Sequence, residues 1–185
     1  MLQDGREGVA KDCNRAFELV EEGARLGCHH CQGVMARCYR DGYGCVRDSA
    51  RSVKLARESS GKGSRYGQYV LGLFYRWGLG GVARDYAQVV ALYRLAAAQN
   101  LDAAQNSLGH MHEVGNCVAQ DSAEALRWYQ LAAAQGHPQA LSNVAQCHEK
   151  GLGVCENKDE AICWYRRAQA AGDLNAADAL QKLRA

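Results

Sequence analysis

The chain has 185 residues, of which 48% are apolar and 23% charged, enough to bury a core and too apolar for a disordered polymer. One proline against twenty glycines, in an alanine-rich background, argues against a β-sandwich or barrel and for helices. A net charge of +2 leaves no broad footprint for nucleic acid, and no apolar run nears the roughly 18 residues of a membrane span, so neither partner is expected.

The opening MLQDGREGVAKD is polar and carries no apolar signal core, which favours a cytoplasmic chain. Residues 1–29 read as a truncated repeat that keeps mainly its second helix, or as what remains after loss of an upstream repeat. That helix is expected to start at Asp12 and end at Gly27, and to expose an apolar edge at Phe17, Leu19 and Val20 through which two copies would pair. Four helix pairs follow, at 30–65, 66–102, 103–138 and 139–174, and a capping helix closes the chain at 175–185.

The pairs are recognised by a period of 36 residues. Val46, Val82, Val118 and Val154 recur at that step after the turns GYGCV, GLGGV, GNCV and GLGV, and Val9 closes GREGV before them. Behind each turn stands a helix-capping Asp48, Asp85, Asp121 or Asn157, and fifteen residues later Gly63, Asn100, Gly136 or Gly172. A cap oxygen satisfies orphan amides at a helix start, while Gly or Asn accepts the left-handed backbone that ends one. Each bracket therefore encloses a second helix, with an apolar stripe such as Val89, Leu92, Tyr93 and Ala96. Ahead of each turn lies a first helix with a large residue, a small one and a ring: Met35, Ala36 and Tyr39; Leu71, Gly72 and Tyr75; Leu108, Gly109 and His112; Val144, Ala145 and His148. The small residue predicts close helix packing, because glycine inside a helix otherwise costs about 0.5–1 kcal/mol. ESSGKGS, with serines and glycines where other repeats have alanine, is expected to fray over residues 58–65.

The pattern A-x-x-x-L-G-x-x-Y-x-x-G-x-G-V, a cap, then A-x-x-W-Y-x-x-A-A-x-x-G resembles the Sel-1-like repeat, a relative of the tetratricopeptide repeat, and AQNSLGHMHEVGNCVAQDSAEALRWYQLAAAQGH is its clearest instance. The resemblance implies an all-α, right-handed superhelical solenoid of antiparallel helix pairs, with first helices lining a concave face that holds protein partners or peptides. Positions on that face not needed for stacking are His30, Arg37, Arg40, Tyr66, Tyr69, Leu73, Arg76, Trp77, Asn106, His110, Glu113, Gln146, Glu149 and Lys150. Tyr66, Tyr69, Arg76 and Trp77, with Arg37 and Arg40 one repeat away, are the residue types enriched at interface hot spots. A protein or peptide, acidic or otherwise carboxylate-bearing, is the expected partner.

Nine cysteines is an odd number, which excludes a complete internal disulfide framework. Cys38 and Cys147 stand where Phe74 and Met111 stand in other repeats and read as buried apolar side chains; Cys45 and Cys117 align with Gly81 and Gly153. Cysteine-rich secreted relatives bridge the end of each second helix to the next first helix. Ala24, Ser60, Ala97, Ala133 and Gln169 occupy the first of those places, and Gln32, Gln68, Gln105 and Leu141 the second. Free thiols in a reducing compartment are therefore expected, with Cys38–Cys45 and Cys147–Cys155 as the pairs able to approach. Cys28 and Cys31 in CHHC supply at most half of a tetrahedral zinc site, and no cofactor is expected. Some relatives have been credited with β-lactamase or penicillin-binding activity, and SSGK at 59–62 matches S-x-x-K, but S-D-N and K-T-G are missing. The primary expectation is a non-enzymatic scaffold; the alternatives are that weak hydrolase and a thiol- or metal-responsive adaptor.

Overall fold

The computed structural model describes the backbone of residues 4–184 and the side chains of residues 12–183. All its secondary structure is helical: α1 Asp4–Arg25, α2 His29–Asp41, α3 Ser49–Gly61, α4 Arg65–Trp77, α5 Tyr86–Ala98, α6 Asp102–Val114, α7 Ser122–Ala134, α8 Pro138–Lys150, α9 Lys158–Ala170 and α10 Ala176–Arg184. The chain divides into two compact units, Met1–Gln99 and Asn100–Ala185.

The helix boundaries follow from local backbone chemistry. Asp48, Asp85, Asp121 and Asn157 are extended N-cap residues whose side-chain oxygens accept amide hydrogens of the first turn. Gly63, Asn100, Gly136 and Gly172 have φ of 82°, 61°, 81° and 93°, the left-handed region that reverses the chain. A further tie recurs in every turn. The amide of the N-cap residue donates to the carbonyl of the ring residue before it: Asp48 to Tyr39 at 3.0 Å, Asp85 to Tyr75 at 3.1 Å, Asp121 to His112 at 2.9 Å and Asn157 to His148 at 2.8 Å. This bond fixes the turn between the two helices of a pair.

In the first unit, Ala36, Val53, Ala56, Val70, Leu71, Phe74, Val82 and Leu92 form one buried cluster. In the second, the cluster runs through Leu126, Tyr129, Leu141, Val144, Tyr165, Ala176 and Leu180. The recurring small residues mark close approaches. A Cβ added to Gly72 would stand 2.6 Å from the Tyr93 ring, and one added to Gly109 would stand 2.6 Å from the Tyr129 ring.

Four sequence expectations are corrected. Asp12 is not a helix cap: α1 is one continuous helix from Asp4 to Arg25. No proline precedes Asp12 to stop the helix from extending upstream. The Val9 landmark has its side chain outside the described residues. Phe17 is not on a free edge either, since its ring packs edge-on against Tyr39 with centroids 5.5 Å apart, while Leu19 is exposed.

The third correction concerns 58–65, which is ordered helix and turn rather than frayed. Ser59 and Ser64 are fully buried, and Ser59 Oγ donates to the Leu55 carbonyl at 2.6 Å. These serines are small because Gly33 and Gly67 press against them: a Cβ on Gly67 would lie 2.2 Å from Ser59 Oγ and 2.7 Å from the Ser60 amide nitrogen.

The fourth is the register of the first turn. Val46 is 87% exposed, and the residue three places before each N-cap is Cys45, Val82, Val118 or Val154. The turn at 78–85 is one residue longer than the others, so counting by 36 aligns Val46 with the wrong neighbours. Cys45 thus takes the valine place, which is buried at Val82 and half-buried at Val118 and Val154, while Cys117, at φ 55°, takes the left-handed place of Gly44, Gly80 and Gly153.

Candidate functional site

The site grows out of a difference between repeats. Two residues before the glycine that ends each first helix stand Arg40, Arg76, Glu113 and Glu149; eight residues after each N-cap stand Ala56, Tyr93, Tyr129 and Tyr165. In the second unit these positions meet. Tyr129 Oη donates to Glu113 Oε2 at 2.6 Å, and Tyr165 Oη to Glu149 Oε2 at 2.7 Å. Glu113 and Glu149, expected from the sequence as partner-facing, are thereby engaged in closing their own helix pairs.

In the first unit neither pair closes this way. Arg40 has alanine rather than tyrosine as its counterpart, and it turns to Asp41, to which Nε and Nη2 donate at 2.7 and 2.8 Å. Its Nη1 is buried without a partner. The Tyr93 hydroxyl is buried with no hydrogen bond of normal geometry. Burial raises its pKa, Tyr69 adds to the rise, and Arg76 and Arg40 pull it back.

Beside Arg40 opens a cleft of about 390 Å³, lined by Arg40, Asp41, Arg47, Tyr69, Leu73, Phe74, Trp77 and Leu79. Arg47 is tied across it by an Nε bond to the Asp41 carbonyl at 3.0 Å. Tyr69 is tilted against Tyr93 with centroids 5.4 Å apart, Trp77 is 54% exposed, and the Arg76 guanidinium stacks 5.0 Å above the Trp77 ring. Of the residues expected from sequence, Arg40, Tyr69, Leu73 and Trp77 line this cleft and Arg76 braces it. Tyr66 does not line it: its ring lies under Arg65 at 5.0 Å and edge-on to His30 at 6.4 Å. Arg37 is exposed outside it.

In the second unit, Asn106 accepts from Asn143 Nδ2 at 2.9 Å, and His110 is exposed. Gln146 and Glu149 edge a cleft of about 320 Å³ with Lys150, Tyr165, Asn175, Asp178, Ala179 and Lys182. That cleft is polar where the first unit's is aromatic. Sequence reasoning missed Asp41, Arg47 and Leu79, which lie in or beside turns, and Phe74, which reads as core; the available signal was that Arg40 lacks the tyrosine that its acidic counterparts possess.

The Tyr–Glu bonds carry a pH signature. Burial raises the Tyr129 and Tyr165 pKa values, and the hydrogen bond to Glu113 or Glu149 raises them further. The unfolded chain ionises its tyrosines near about pH 10 while the folded chain resists, so this stabilisation is complete below pH 10 and lost above it. Urea midpoints are expected to fall above about pH 10, with a shallower fall in the Tyr129→Phe, Tyr165→Phe double variant; the buried Cys147 thiol, itself raised, lowers both proteins alike from about pH 8.5. An equal fall in the double variant would contradict these bonds.

The cysteines are all free thiols; Cys38 and Cys147 are buried, as their alignment suggested, and burial pushes Cys147 up to about 11. Where secreted relatives carry cysteine, Gln68 accepts from Gln99 Nε2 at 2.8 Å and Gln105 from Gln135 Nε2 at 2.7 Å. Among the described residues no group of three or more His, Cys, Asp or Glu is placed to hold a metal ion, and no helix is long and apolar enough to cross a membrane. Ser59, the serine of the S-x-x-K string, is fully buried with its hydroxyl engaged, so a substrate has no access to it.

Capped antiparallel helix pairs with equivalent landmarks define a helical repeat protein of the solenoid class. The model of the Sel1 repeat matches residues 1–28, 29–64, 65–101, 102–137 and 138–173, and the chain belongs to the Sel1 repeat family. Proteins of that family generally serve as protein-interaction scaffolds and are typically non-catalytic. No curated protein matches the chain. Among solved structures it is similar to a protective antigen of uropathogenic Escherichia coli strains with the SLR fold, at 32% identity and TM-score 0.75 over 89% of this chain and 35% of the antigen. The chain thus spans about a third of that antigen's length. It is also similar to a Sel1 repeat protein from Oxalobacter formigenes, at 25% identity and TM-score 0.76 over 90% of this chain and 74% of the other. Cysteine rich protein B of Helicobacter pylori, at 17% identity and TM-score 0.57 over 72% of this chain and 96% of its own, shares the fold.

Proposed function

We propose that the protein is a non-enzymatic scaffold that seats a protein or peptide in the cleft of its first unit, with an aromatic or aliphatic side chain of the partner between Tyr69, Leu73 and Trp77 and a carboxylate against Arg40 and Arg47. The observation that carries this reading is the buried, unpartnered Nη1 of Arg40 beside an aromatic cleft. A guanidinium nitrogen is only a donor, and leaving one buried and unpaired is costly, so an incoming carboxylate oxygen gains more there than at an exposed arginine. Two arginines against one aspartate line the cleft, which favours an acidic partner. The exposed tryptophan is the residue type that most often anchors such contacts. Dimerisation through α1 is not part of this reading, because Phe17 is packed on Tyr39.

The test is selection from a displayed peptide library followed by affinity measurement with purified variants. Enriched peptides are expected to carry an acidic group or free C-terminal carboxylate near an apolar residue. Tyr69→Ala and Trp77→Ala are each expected to weaken binding by 2 kcal/mol or so, about thirtyfold, while leaving circular dichroism unchanged. Binding of unchanged affinity by both folded variants would rule the cleft out.

A further inference from the structure

The Cys28–Cys31 pair is a built feature that the scaffold role leaves unused. Cys28 is the N-cap of α2, exposed, and its Sγ accepts the Cys31 amide at 3.3 Å. The corresponding N-caps are Ser64, Leu101 and His137, so a thiol replaces residues that are oxidation-inert under mild conditions. One turn later, Cys31 stands where the other repeats have Gly67, Ala104 and Ala140. Its facing residue on the preceding helix changes in the opposite sense: Gly23 in α1 stands where the others have Ser59, Ala96 and Ala132. A Cβ on Gly23 would lie 2.6 Å from Cys31 Sγ. The first repeat therefore sets a glycine on one helix against a thiol on the other, one helical turn from an exposed cysteine.

We infer that Cys28 and Cys31 form a dithiol–disulfide exchange site, with Cys28 as the attacking sulfur and Cys31 as the resolving one. Supporting that order, the Cys31 amide, then the Cys31 thiol, and the His30 amide draw the Cys28 pKa down, whereas donation to Cys28 and burial push Cys31 up. The oxidant is a small-molecule disulfide, RSSR. The Cys28 thiolate, its proton already lost to solvent, attacks one sulfur of RSSR; the S–S bond breaks, a Cys28–SR mixed disulfide forms and RS⁻ leaves. Cys31 then gives its proton to that thiolate and attacks the Cys28 sulfur, forming the Cys28–Cys31 bond and expelling the second RS⁻, which takes a proton from solvent. Two electrons pass from the pair to RSSR, which departs as two RSH. The disulfide would span the first turn of α2, where the Cys28 sulfur now receives the Cys31 amide.

The experiment equilibrates the purified chain in buffers of stepped oxidised-to-reduced glutathione ratio, quenches with acid, alkylates and maps peptides by mass. The expected result is a single transition in which two thiols become unavailable together, both within 28–31, while the exposed Cys117, Cys155 and Cys163 remain alkylatable. Cys31→Ala, the residue that two of the other repeats carry there, is expected to stop the reaction at a stable glutathione adduct on Cys28. Cys28→Ser, which keeps a capping oxygen as Ser64 does, is expected to abolish the transition. In brief alkylation of the reduced wild type at neutral pH, Cys28 is expected to react faster than Cys117, Cys155 and Cys163. Full alkylation of Cys28 and Cys31 at the most oxidising ratio, earlier oxidation of any other cysteine, or no rate advantage for Cys28 would each overturn the assignment. None of these readouts involves the partner cleft.

Discussion

Replacing Tyr129 with alanine is expected to cost about 3–5 kcal/mol of folding stability, the range for removing a large buried ring. Tyr129 is 1% exposed; its ring fills the space above Gly109, and its hydroxyl closes the bond to Glu113. Alanine would open a cavity that Gly109, without a side chain, cannot fill, and would strip a half-buried carboxylate of its donor. Tyr129→Phe separates the two contributions: the ring stays, and a loss of about 1.5–3 kcal/mol is expected for a hydrogen bond to a charged group. Leu131→Ala, on a half-exposed position of the same helix, should change stability by no more than about 0.5 kcal/mol. Urea unfolding at neutral pH measures all three. A Tyr129→Ala loss no larger than that of Leu131→Ala would mean that the helix pairs are not held by this residue.

The second large effect is expected at Gly67. Valine there would drive its Cβ to 2.2 Å from Ser59 Oγ and 2.7 Å from the Ser60 amide nitrogen, and backbone cannot swing aside as a flexible side chain can. Overpacking of this kind costs about 1–3 kcal/mol, expected as a lower urea midpoint. The same valine at Gly61, where an added Cβ meets nothing within 4 Å, carries no such clash and should leave stability unchanged or raise it by a few tenths of a kcal/mol or so, since valine is the better helix former. If the two variants unfold alike, α3 and α4 do not approach as described.

Gly67 also illustrates what a sequence can conceal. Read along the chain, ESSGKGSRYG is a run of small and polar residues in a place of alanines, which suggests weakness. In three dimensions the same small residues let two backbones come together; the buried Ser59 hydroxyl donates to carbonyls of its own helix, and that of Ser64 accepts the Gly67 amide. Propensity is a local quantity and carries no information about which neighbour arrives.

The brackets from Asp48 to Gly63, Asp85 to Asn100, Asp121 to Gly136 and Asn157 to Gly172 were legible because caps and left-handed stops are local backbone chemistry. Asp12 misled for a related reason. A cap residue permits a helix start without forcing one, and α1 runs through it. Val46 misled because a one-residue difference in turn length shifts a strict 36-residue count, whereas counting back from the N-cap finds Cys45. At the site, Arg40, Tyr69, Leu73 and Trp77 were legible as aromatic and basic residues on first helices. The closure of the second unit was not, since Glu113 and Glu149 were weighed alone and their tyrosines lie 16 residues away on the partner helix. Aligning acid, arginine and tyrosine as a coupled position would have separated the units by sequence alone.

Hydrogen exchange followed by mass spectrometry, with and without a bound acidic peptide from the library, tests the proposed role of the first unit most directly. Slower exchange is expected in fragments covering 40–47 and 69–79, with Arg40→Ala weakening that protection. Protection confined to α7–α10, with 40–47 and 69–79 exchanging as in the free protein, would contradict it.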